Sequence, residues 1–156
     1  MLIPSLLATA ALAMPAAASA HHGWHHHHHH ALAKLSGTGT TFGAATATAS
    51  GSIVGGTLQS GTFSATVSTD WAKAVNRTFD RGSLSCAPAT ASLTLTATTT
   101  TQSSLTGKTC AWTPTTGSVV RAFFGKSTTV KAFLVQKSDG TVKGAAFTRS
   151  GEHERR

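Results

Sequence analysis

Histidine is absent between residues 31 and 152, tyrosine is absent throughout, and acidic side chains number only five in 156 residues. Without a histidine the body of the chain cannot supply the usual general base, so a Ser–His–Asp arrangement cannot be assembled there. Asp70, Asp80 and Asp139 are the only carboxylates before the C-terminal tail. Asp139 is taken by a turn, which leaves Asp70 and Asp80 as the sole pair for a two-carboxylate glycosidase. Both stand beside aromatics, in TDWAK and TFDRG. Their plainer roles are ion pairing of Asp80 with Arg77 or Arg81, and a strand end at Asp70. The expected catalytic set is therefore none, and the chain is expected not to be an enzyme.

Cysteine is nearly as scarce. Cys86 and Cys110 are the only two, and neither has the C-x-x-C spacing of a metal site. An even pair in an exported chain reads as a disulfide, which also removes a free thiol nucleophile. Long apolar runs are missing as well. The segment between Pro4 and Pro15 is apolar but falls short of the about 20 residues that span a bilayer. With Ala18-Ser19-Ala20 behind it, residues 1–20 read as a cleaved signal peptide that lacks the usual basic start. The expectation is a secreted or envelope-associated protein with no transmembrane anchor after cleavage.

What is abundant is threonine, serine, alanine and glycine. In TFSATVST, Phe63, Ala65 and Val67 alternate with hydroxyl residues, and in SLTLTAT, Leu93, Leu95 and Ala97 do the same. Period two is the signature of a half-buried strand, with β-branched threonine on the outward face. Further strands are expected at 38–48, 53–59, 76–80, 108–113 and 118–125. SVVRAFF, 118–124, is apolar on both faces apart from Arg121 and is expected to be the most buried. In KAFLVQKSDGTVKGAAF, 131–147, Asp139-Gly140 fits a two-residue hairpin turn. Pairing Ser138 with Thr141 would put Phe133, Val135, Val142 and Ala146 on a core face, and Leu134, Gln136, Lys143 and Phe147 on the other. The predicted fold is all-β: a single small antiparallel β-sandwich or barrel over 36–149 with one disulfide.

Thirteen Lys and Arg give a formal charge of +8, which favours encounter with polyanions. Anionic cell-wall or extracellular polymers are the candidate partners. Specific nucleic-acid binding is not expected, since the basic residues are scattered along the chain without interleaved stacking aromatics. Lys131, Lys137 and Lys143 read as guards of exposed strand edges. The charged segment 150–156 reads as a solvated tail.

Histidine, absent from the body, fills the segment before it. His21, His22, His25, His26, His27, His28, His29 and His30 occupy eight of ten positions, within a predicted flexible arm over 21–35. Clustered imidazoles bind Zn, Cu or Ni without preorganised geometry, although the fold requires no cofactor. The expected function is a non-catalytic binding or structural β-domain; the alternative is extracellular divalent-metal binding through this tract.

Overall fold

The computed structural model describes residues 30–149. Nine antiparallel strands account for most of them: β1 Ala31–Gly39, β2 Thr46–Gly55, β3 Gly61–Thr69, β4 Val75–Phe79, β5 Gly82–Thr96, β6 Thr100–Pro114, β7 Val120–Lys126, β8 Val130–Gln136 and β9 Thr141–Thr148. One 3-10 turn, Trp71–Lys73, follows β3. The order β3-β2-β1-β9-β8-β7-β6-β5 is closed by pairing of β3 with β5, which makes an eight-stranded barrel. The fold is therefore the barrel of the two expected architectures, not the sandwich. β1 begins at Ala31, and Ala33 and Leu35 are buried, so residues 31–35, predicted to belong to the arm, are part of the barrel wall. Residues 1–29 and 150–156, which carry the expected signal, most of the arm and the tail, lie outside the described residues.

The threonine–alanine alternation explains the closure. An eight-stranded barrel has an interior just wide enough for its own side chains, so inward positions must be small or offset against small partners. Alanine supplies the largest share of them: Ala33, Ala47, Ala49, Ala65, Ala89, Ala91, Ala132 and Ala146 are all buried. The larger residues face glycine. Gly51 lies opposite Phe63, and Gly144 opposite both Leu35 and Leu134. Gly107 and Gly125 form a directly opposed pair of β6 and β7; a Cβ on Gly107 would stand 1.8 Å from the Phe124 carbonyl oxygen, and one on Gly125 2.4 Å from the Phe123 ring. The missing side chain at Gly125 is what leaves room for the ring of the fully buried Phe123.

Two polar devices complete the interior. Thr109 and Thr69 are buried, and their hydroxyls share one hydrogen bond of 2.8 Å between β6 and the end of β3. At the same end, the loop after β1 folds Phe42 inward until none of it is exposed. Gln136 holds it there. Its Oε1 accepts from the Phe42 N–H at 2.8 Å, and its Nε2 donates to the carbonyls of Thr40 at 2.8 Å and Gly39 at 3.2 Å.

Several sequence expectations shift in register. Segment 38–48 is not one strand but the end of β1, the Phe42 loop and the start of β2. β7 is not the most buried strand, since Phe124 is 45% exposed and Phe123 is its one fully buried residue. The last hairpin has a three-residue turn, Ser138–Gly140, rather than two: Lys137 N–H bonds Thr141 C=O, Gly140 takes φ +91°, and Gln136 pairs with Val142. A one-residue slip reverses every side chain. Ala132, Leu134 and Gln136 therefore point into the lumen, while Phe133 and Val135 point out. Asp139 accepts the Thr141 N–H at 2.9 Å, and that bond holds its carboxyl below the ordinary range.

Candidate anion-binding groove

Closure of the barrel divides its outer surface into two unlike halves. On β2, β3, β5 and β6 the outward positions pair in rows such as Thr48, Thr66, Ser92 and Ser104, then Ser50, Ser64, Thr94 and Gln102. This half is rich in hydroxyls, and β2, β3 and β5 carry no charged residue; on β6 the first charge is Lys108. The other half collects the lysines: Lys34, Lys108, Lys126, Lys131 and Lys143 are exposed on β1, β6, β7, β8 and β9, with Lys137 just past the end of β8. Charges scattered in sequence are thus gathered by the fold. β8 and β9 are paired on both sides, so Lys131, Lys137 and Lys143 guard no sheet edge, contrary to expectation.

Within the basic half lies a groove of about 630 Å³ whose lining includes Lys108, Lys126, Lys131, Phe124, Phe133 and Phe147. Its arrangement follows from register. Lys108 lies opposite Phe124, which lies opposite Phe133. One row along, Lys126 lies opposite Lys131, which lies opposite Phe147. The Phe133 and Phe147 rings stack with centroids 6.4 Å apart and planes 26° from parallel. Directly opposed like charges destabilise a sheet, yet no described carboxylate comes within ion-pair distance of Lys126 or Lys131; the one ion pair among the described residues is Lys73–Asp70 at 3.8 Å. Among the described residues, the site therefore offers cations without a carboxylate counter-charge, beside apolar ring faces. Phe147 also borders a second hollow lined by His30, Ala31, Lys34 and Thr57, so the chain enters the barrel at the margin of the groove.

The other candidate residues lie elsewhere. Cys86 and Cys110 are directly opposed on β5 and β6 and form the disulfide on the outer surface. Asp70 precedes the 3-10 turn and pairs with Lys73, whereas Asp80 sits in the turn between β4 and β5. The metal tract lies outside the described residues except for His30, which is exposed. Among the described residues no helix is long and apolar enough to cross a membrane. Sequence reasoning missed the groove because Phe133 was assigned to the core; the signal that could have found it was the alternative three-residue reading of Ser138-Asp139-Gly140. No family model matches the chain, and neither a curated protein nor a solved structure matches it.

Proposed function

We propose that this chain is an exported, non-catalytic binding module whose β6–β9 groove takes an acidic extracellular or cell-wall polymer. The signal peptide would direct export, and the His-rich arm would precede the barrel. The observation that carries the reading is the directly opposed Lys126–Lys131 pair, with no carboxylate partner among the described residues, beside Phe124, Phe133 and Phe147. Carboxylates of a polyuronate would relieve the lysine repulsion while the sugar faces cover the phenylalanines. Specific nucleic-acid recognition is not part of the proposal, and the groove needs no cofactor.

The test is retention of the full chain on immobilised polygalacturonate. Exposed charge contacts contribute about 0.5–1 kcal/mol each, and reversal both removes and opposes them. The Lys126→Glu/Lys131→Glu double variant should bind roughly 50-fold more weakly and lose much of its salt dependence. Ser50→Ala/Thr66→Ala, on the hydroxyl half, should bind as the parent does. Equal binding by the lysine variant would refute the reading.

A second reading rests on a different observation, the eight imidazoles between His21 and His30. It makes the chain an extracellular Zn, Cu or Ni binding protein with the barrel as carrier. Deleting 21–30 would then abolish metal uptake, measured by native mass spectrometry, and leave polygalacturonate retention at neutral pH intact.

A further inference from the structure

All eight barrel strands are paired on both sides, which leaves β4 as the described strand with an unpaired edge. It lies off the barrel, paired only with Gly82–Cys86 of β5, while β3 takes Ala89–Thr96 of the same strand. Pro88, which has no N–H to give, falls in the gap between these two partners; its carbonyl accepts the Asp70 N–H at 2.9 Å. All five β4 residues are exposed, Val75 to 63% and Phe79 to 49%. Edges are blunted by short length, charged side chains, proline or a bulge. β4 has neither proline nor bulge, and its register against β5 is unbroken; its one charge, Arg77, disfavours a cationic partner and leaves an acidic one admissible.

The edge is also held ready. A short two-stranded hairpin is marginal alone in water, but this one has three braces. Val75 lies opposite Cys86, which is bridged to Cys110. The Phe79 ring lies 6.1 Å from that of Trp112. The Thr115 N–H donates to the Arg81 carbonyl at 2.9 Å. A strand joining this edge would therefore not bear the cost of ordering it.

Register also gives the direction of the free groups. Phe79 and Gly82 enclose the two-residue turn Asp80-Arg81, so Val75, Arg77 and Phe79 bond to β5, and Asn76 and Thr78 turn their N–H and C=O outward. The 4.0 Å Cα separation of Cys86 and Cys110 agrees, since it is that of a non-hydrogen-bonded pair and leaves the Cys86 backbone facing β4.

We propose that β4 docks an extended segment of another protein as an added strand, and that this segment carries an acidic residue between two apolar ones. Val75, Arg77 and Phe79 share one face, so an incoming strand sets its side chains against apolar, cationic and apolar neighbours in turn. A second copy of this chain is a poor occupant. Antiparallel self-pairing over the whole strand opposes Arg77 to Arg77 and joins two chains of formal charge +8. The proposal is independent of the groove.

The experiment titrates the disulfide-intact full chain with two capped pentapeptides, Val-Thr-Glu-Thr-Val and Val-Thr-Lys-Thr-Val, following the amide resonances of residues 75–79. The glutamate peptide should bind at least 10-fold more tightly. Arg77→Glu should reverse that order, which a merely structural role for Arg77 would not do. Asn76→Pro, at an exposed position, should abolish both titrations while circular dichroism and the disulfide mass stay unchanged. Equal affinities, no shifts at millimolar peptide, an unreversed order in Arg77→Glu, or a parent dimer that Asn76→Pro dissociates would each overturn the proposal, the last in favour of self-association.

Discussion

Replacing Gln136 with leucine should cost about 3 kcal/mol, although leucine is an apolar residue of roughly similar size entering an apolar barrel. The reason lies in what the amide satisfies. Gln136 is 3% exposed and serves three backbone groups of one loop: the Phe42 N–H and the carbonyls of Gly39 and Thr40. Leucine leaves all three unpaired. An orphaned buried donor costs about 1–3 kcal/mol, and each carbonyl nearer the barrel end, where water can reach, about 0.5–1 kcal/mol. The added apolar burial offsets only part of that. For a domain of this size a loss of about 3 kcal/mol corresponds to a melting temperature lower by about 10 °C. Thermal unfolding followed by circular dichroism gives the number, with Ser50→Ala on the outer surface as a control expected to change stability by less than about 0.5 kcal/mol. A Gln136→Leu variant within 1 kcal/mol of the parent would refute the clamp. It would mean that packing alone seats Phe42.

Further outcomes follow from the same interior and its surface. Gly107→Val should prevent closure of the barrel, because its side chain would meet the Phe124 carbonyl and not a movable side chain; the readout is loss of amide-exchange protection in β6 and β7. Removing both cysteines should destabilise by about 3 kcal/mol in chemical denaturation, from the 24-residue separation of Cys86 and Cys110, and leave the barrel folded. The Asp139 carboxyl titrates below its ordinary value because it accepts the Thr141 N–H. Its contribution is present above the unfolded-state value and disappears as pH falls through the lower folded-state value. The melting temperature of Asp139→Asn should therefore fall less steeply with acid than that of the parent.

The parts of the fold legible in the sequence are those set by local alternation. Phe63, Ala65, Val67, Leu93 and Leu95 all face inward as their period-two spacing requires, and the two cysteines pair. What remained hidden depended on longer-range geometry. The choice between sandwich and barrel was settled by β3 pairing with β5, a contact that no local pattern encodes. The orientation of β8 turned on a single residue of turn length, and with it went the core assignment of Phe133. Gln136 looked like a surface residue because its partners, Gly39, Thr40 and Phe42, are nearly a hundred positions away. The lysine half was invisible for a similar reason. Lys34, Lys108, Lys126, Lys131 and Lys143 come from five strands, and only the cylinder puts them side by side.

The most direct test of the groove is a nitrogen-15 amide titration of the full chain with a uronic-acid oligosaccharide at low salt. One contiguous patch of shifts is expected over Lys108, Phe124–Lys126, Lys131–Phe133 and Phe147, reversed by added salt. Shifts confined to the hydroxyl rows of β2, β3 and β5, or spread evenly over every lysine without the phenylalanines, would contradict it.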